Sequence, residues 1–205
     1  MEVAYSLSGA SYENHHDLIE GYRTQVIDFY GTVRHVVGDT ESTPNDLRYI
    51  TAFPNLVTLD LSGLNIVNVG QLRVTSDWSA TPVVFDDLEK MDLSDNVITS
   101  VSLAAHPSLT YLDISKNSFA DLNQLPTLNA LETIDMSYNA ALIDMNGLFV
   151  IDGETYTPKL PTLTTLIANN GSASINALAN WQGSSLQHLD LSDSTNVNTN
   201  ALGGL

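Results

Sequence analysis

The amino-acid sequence predicts a right-handed solenoid of the α/β class, in which short parallel strands stack through about six to eight repeated units. Three observations carry this. One motif recurs six times, its apolar residues alternate within each copy, and the spacing stretches by whole segments without losing phase. The copies are LVTLDLSGLNIVNV from Leu56, LEKMDLSDNVITSV from Leu88, LTYLDISKNSFADL from Leu109, LETIDMSYNAALIDM from Leu131, LTTLIANNGSASI from Leu163 and LQHLDLSDSTNV from Leu186. They stand 32, 21, 22, 32 and 23 residues apart. Self-similarity at such a period is the signature of a stacked array, because one unit alone cannot bury its own apolar face.

Within each copy the period is two. Leu59 and Leu61 point one way and Asp60 the other, as strand geometry requires. Stacking at roughly 4.8 Å per strand then builds two interior columns: Leu59, Met91, Leu112, Ile134, Leu166 and Leu189, beside Leu61, Leu93, Ile114, Met136, Ala168 and Leu191. The register extends backward to Ile27-Asp28-Phe29 and to Tyr5-Ser6-Leu7, giving up to eight units. Residues 56–197 form the clear repeats, and residues 1–25 read as a divergent first repeat or a cap. The whole of 1–205 is one domain. The next strand falls due beyond Leu205, so the chain reads as a piece of a longer protein.

Three units carry extra residues, at 36–53, 70–87 and 146–162, each with a Thr-Pro step. In the last, Asp152-Gly153 between β-favouring residues signals a hairpin. LRVTSDWSATPVVF reads as a looser one. These insertions follow the strand and its turn, so they decorate the back of the coil, with Trp78 and Tyr156 as candidate contact residues. The unit from Leu131 holds one extra residue before Leu142 and Met145.

Composition narrows the function classes. Seven Lys+Arg oppose 24 Asp+Glu, a net charge of −17. Such a surface repels phosphate, which argues against nucleic acid and anionic membrane surfaces. The chain has no cysteine, so disulfides and thiolate metal sites are excluded. No apolar run reaches the ~20 residues of a membrane span. The start, MEVAYSLSGA, lacks the basic end and apolar stretch of a secretion signal.

The repeated LxxLxLxxN resembles the leucine-rich repeat family over about two-thirds of the chain. Asn96-x-Ile98-x-x-Val101 and Asn117-x-Phe119-x-x-Leu122 are similar to the short units of bacterial internalin-type surface proteins. The departures are Leu64, Gly171 and Ser194, each standing where the motif has Asn. The resemblance implies a parallel concave sheet with turns, 3₁₀ pieces or hairpins behind it. It also implies an Asn ladder of Asn96, Asn117 and Asn139 that ties the buried turns.

Candidate chemistry lies on the outward strand face. One column is Thr58, Lys90, Tyr111, Thr133, Thr165 and His188. The next is Asp60, Asp92, Asp113, Asp135, Ile167 and Asp190, and a third is Ser62, Ser94, Ser115, Ser137, Asn169 and Ser192. Adjacent carboxylates ~5 Å apart cost on the order of 0.8 kcal/mol per pair even in water, to be offset by hydroxyls, cations or a basic partner. A line of carboxylates does not surround a point as calcium requires. His188, Asp190 and nearby serines spell a triad, but with no glycine elbow or oxyanion loop. His15-His16-Asp17 diverge as neighbours on one chain, and the sequon Asn170-Gly171-Ser172 falls at a repeat turn.

The sequence therefore predicts a non-catalytic protein-recognition module with no metal and no cofactor. Its binding residues are Thr58, Asp60, Lys90, Asp92, Tyr111, Asp113, Thr133, Asp135, His188 and Asp190. The partner is a protein with a basic patch, and the module itself is a monomer. The resemblance implies an adhesion or host-binding region at an extracellular or cell surface. The alternatives are an intracellular, cytoplasmic regulatory scaffold and a carbohydrate- or calcium-binding surface.

Overall fold

The structure, a computed structural model, describes residues 55–69, 84–181 and 185–205, and the backbone of two strands at residues 3–6 and 33–37. Eight strands form one sheet: β1 (Val3–Ser6), β2 (Val33–Val37), β3 (Thr58–Asp60), β4 (Lys90–Asp92), β5 (Tyr111–Asp113), β6 (Thr133–Asp135), β9 (Thr165–Ile167) and β10 (His188–Asp190). Every neighbouring pair is parallel. Two further strands among the described residues, β7 (Phe149–Asp152) and β8 (Thr155–Pro158), form a separate antiparallel hairpin. Among the described residues, the 3₁₀ segments Asn146–Leu148, Asn176–Asn180 and Thr199–Gly204 belong to the returning connections.

The interior columns are as the alternation predicts. Leu59, Met91, Leu112, Ile134 and Leu166 are fully buried, as are Leu61, Leu93 and Ile114. At the terminal rung, Leu189 and Leu191 are only partly covered, because no described unit stacks beyond them. Each buried leucine contributes about 1.5–3 kcal/mol.

One register expectation is corrected. The rung preceding β3 is filled by β2, with Val36 opposite Leu59 and Val37 opposite Asp60. Ile27-Asp28-Phe29 does not occupy it and lies outside the described residues. Tyr5 keeps its place, paired with Val36. The unit that ends at Leu59 therefore has ordinary length, and the extra residues assigned to 36–53 belong instead between β1 and β2. A run of apolar and aromatic residues at 26–30 matched the strand pattern as well as VRHVV did, and periodicity alone could not arbitrate between them.

Adjacent turns are tied by asparagine amides. Asn96 Oδ1 accepts from the N–H groups of Leu64 (3.0 Å) and Ile66 (2.9 Å) in the preceding unit. Its Nδ2 donates to the carbonyls of Leu61, Leu93 and Ser94. Asn117 repeats this with Ile98 N–H and the carbonyls of Leu93, Ile114 and Ser115. Asn139 does so with Phe119 N–H and the carbonyls of Ile114, Met136 and Ser137. These backbone groups are buried and need partners.

The departures at Gly171 and Ser194 are compensated. In the unit with an extra residue, Leu142 N–H bonds the Asn139 carbonyl within its own turn, and so makes no call on an amide from the next unit. That next unit carries Gly171. At the following rung, Ser194 Oγ donates to the Ala168 carbonyl (2.9 Å) and accepts from Gly171 N–H (3.3 Å). A small cavity remains where the Asn side chain is missing, lined in part by Met136, Asn139, Ala168, Gly171 and Ser194.

Behind the sheet, His106 is buried, stacks on Phe85 with ring centroids 5.7 Å apart, and accepts the Phe85 N–H at Nδ1 (3.1 Å). Burial pushes its pKa from 6.5 down to about 4. The unfolded chain therefore binds the proton first as pH falls. The His106 contribution is intact above 6.5 and is lost progressively toward 4, on the order of 3 kcal/mol. Urea unfolding at stepped pH should show this decline, and a His106→Asn variant, which keeps an acceptor but cannot titrate, should lose that share of the slope.

The ladder makes a paired prediction. Asn117→Ala leaves several buried backbone groups unpaired and should cost about 3 kcal/mol in urea unfolding. Gly171→Asn restores the missing amide. Its Cβ would meet nothing nearer than 3.6 Å, and filling the cavity should add about 0.5–1 kcal/mol.

Candidate functional site

The strand registers assemble the predicted residues into two outward columns. Thr58, Lys90, Tyr111, Thr133, Thr165 and His188 are successive partners, and so are Asp60, Asp92, Asp113, Asp135, Ile167 and Asp190. Lys90 and His188 are exposed, and the others are half-buried. β3, β4, β5, β6 and β10 each set one inward apolar residue between two of these outward polar ones.

The aspartates have a specific local job. Oδ1 of Asp60, Asp92, Asp113, Asp135 and Asp190 accepts the backbone N–H two residues on, from Ser62, Ser94, Ser115, Ser137 and Ser192, at 2.9–3.0 Å. These are Asx turns, which start the bend out of the strand. One carboxylate oxygen is thus committed to the fold at each of these five rungs. Beyond the turn bonds, Ser62 Oγ donates to Asp60 (2.8 Å), Tyr111 Oη to Asp113 Oδ2 (3.4 Å), and Asn169 Nδ2 to Asp190 Oδ2 (3.2 Å).

The column is electrostatically uneven. Asp92 is raised above the usual carboxylate range by burial, then by Asp113 and Asp60, against the opposing bonds from Ser94. Asp190, at the exposed end, is lowered by the Ser192 N–H and hydroxyl and by Asn169. Tyr111 is pushed up to about 12 by burial and by the charges of Asp113, Asp92 and Asp135. The centre of the face is a neutral phenol among carboxylates.

A further residue escaped sequence reasoning. The position before the ladder Asn is left-handed in every clear unit: Gly63, Asp95, Lys116, Tyr138, Asn170 and Asp193 have φ between 51° and 69°. Glycine, Asn and Asp suit it, but tyrosine does not. Tyr138 nevertheless holds φ 57° with half its surface exposed, on the rim of the sheet. Beside it the Ser137 hydroxyl is buried with no hydrogen-bond partner. The signal was available: five of the six residues at this turn position are polar or glycine, and one is a large aromatic. Asn170, of the sequon, is the left-handed residue of its own turn.

Trp78 and His15-His16-Asp17 lie outside the described residues. Among the described residues no cluster of three or more His, Cys, Asp or Glu is arranged to hold a metal ion, and no helix is long and apolar enough to cross a membrane.

A parallel concave sheet, an Asn ladder and irregular returns define a leucine-rich repeat solenoid. Solved structures share it. Internalin C2 from Listeria monocytogenes superposes with a TM-score of 0.58 at 19% identity, over 87% of this chain and 80% of that one. An internalin, InlF, from the same organism gives 0.54 at 20% identity, over 85% of this chain and 52% of its own. The leucine-rich repeat domain of APL1B gives 0.54 at 17% identity, over 96% and 66%. No family model and no curated protein matches the sequence.

Replacing Tyr138 by glycine should relieve the strained turn and raise stability by about 0.5–1 kcal/mol, read as a higher melting temperature.

Proposed function

We propose that the concave sheet is a non-catalytic protein-recognition surface whose partner presents a basic patch. The observation that carries this is the carboxylate column around Tyr111. Each aspartate is fixed by its own turn, so the face is pre-organised and needs little ordering on binding. Aromatic anchors amid fixed opposite charge are what interface hot spots consist of. Tyr138 extends the surface at the rim. A strained, exposed aromatic beside a stranded hydroxyl lowers stability, and such costs persist where they serve contact. Likeness to the internalin fold supports an adhesive role at a cell surface or outside the cell.

The test is affinity capture at low and high salt with wild type, Tyr138→Gly and the double variant Tyr111→Ala plus Asp92→Lys. Partners bound through this face should be lost from the double variant and reduced with Tyr138→Gly. They should also weaken by about tenfold or more when salt rises, because the Debye length shrinks from ~10 Å at 0.1 M to ~3 Å at 1 M. Equal capture by wild type and double variant overturns the reading.

A further inference from the structure

The hairpin between β6 and β9 belongs to a different surface from the concave face. Its turn holds Gly153 at φ 59° and Glu154, which has no positive φ. That pattern fits a type II′ turn with glycine at the first central position. The strand pairs run Phe149 with Pro158, Val150 with Thr157, Ile151 with Tyr156 and Asp152 with Thr155.

The root of this hairpin is rigid. Phe149 is buried and packs edge-on against Trp181 (5.5 Å) and Tyr156 (5.9 Å), and Trp181 is itself buried. Lys159 N–H bonds the Leu148 carbonyl, and the Lys159 carbonyl takes Leu128 N–H. The Lys159 ammonium turns inward onto the Asn123 carbonyl at 3.0 Å. Upstream, Gly147 lies so close to Leu122 that a Cβ would overlap its backbone. The hairpin is therefore held out as a fixed ledge.

Its outer part is apolar and of one charge sign. Val150 and Ile151 are 51% and 45% exposed, although they point to opposite sides of β7. The only charged residues of the hairpin are Asp152 and Glu154 at the tip, both exposed. The two edges offer the same backbone groups. With Asp152 and Thr155 closing the turn, Ile151 and Tyr156 are a pair whose backbone groups face outward. On β8 the next such position is Pro158, which has no N–H to offer. On β7 it is Phe149, whose carbonyl stays available while its N–H bonds the Asn146 carbonyl. Among the described residues both edges of this two-stranded sheet are unpaired, and β7 is set apart by its two exposed apolar side chains, Val150 and Ile151, where β8 presents Thr155 and Thr157.

We propose that β7 is a docking edge for an extended protein segment whose β-favouring residues are flanked by lysine or arginine. The apolar stretch of that segment lies along Val150 and Ile151, backbone bonds form at Ile151, and the basic flank meets Asp152 and Glu154. Strand addition of this kind draws affinity from the main chain and selectivity from the side chains. The hairpin lies outside the concave sheet, so this reading stands or falls separately from that one.

The probe is a short peptide of alternating valine and threonine between lysine pairs, compared with the same peptide between glutamate pairs. Amide resonances are followed during each titration. The lysine peptide should shift residues 149–152 and leave β3–β6 unmoved, and the glutamate peptide should shift nothing. Val150→Glu plus Ile151→Glu should weaken binding about tenfold or more, with Trp181 fluorescence confirming an intact root. Asp152→Lys plus Glu154→Lys should invert the preference toward the glutamate peptide. The concave variant Tyr111→Ala plus Asp92→Lys should bind as wild type does. Equal binding of both peptides, shifts confined to the concave sheet, or indifference to both hairpin variants overturns the proposal.

Discussion

The asparagine amide that follows β4, β5 and β6 is the interaction on which this molecule depends. A coil of short strands must turn sharply after three residues, and each turn carries N–H and carbonyl groups inside the wall. Water cannot reach them, and the strands are too short to satisfy them. Asn96, Asn117 and Asn139 each answer for the groups of two successive units at once. The amide is therefore a joint between units, and its loss is felt on both sides.

The strand aspartate solves the complementary problem on the outer side. It holds the first outward N–H of the bend and so fixes the place where the chain leaves the sheet. A charge that looks misplaced in an apolar strand is a turn former. The column of negative charge on the face follows from repeating that local solution. Where Ile167 replaces Asp, Asn169 reaches to the neighbouring Asp190 instead. Local folding needs and surface electrostatics are thus set by the same side chain.

Much of this was legible because repetition converts weak local signals into a register. The interior columns, the outward columns and the Asn ladder all follow from alternation and phase, and Leu142 and Met145 marked the extra residue in their unit. The rung before β3 was not legible, since two apolar runs competed for it and only strand pairing separates them. The hairpin was readable from Asp152-Gly153, but its turn is centred on Gly153 and Glu154, one residue later. His106, Trp181 and Tyr138 were missed for a common reason. They lie in the turns and returning connections, where residue roles follow from contacts with other units and not from the period. Nothing in the alternation marks His106 as the acceptor for a backbone group 21 positions earlier.

The close approach of Gly147 to Leu122 has a consequence for how the coil can vary. Backbone meets backbone there, so the insertion departs at a fixed point and angle. It returns at Lys159, whose main chain is bonded to two different segments. Between those two clamps, Tyr156 packs back onto the core, while residues 150–155 and Thr157 are exposed. The exposed outer residues of the hairpin thus carry little of the core's packing, and the units on either side are held by the clamps. Diversity in such a molecule can accumulate on the ledge without renegotiating the frame.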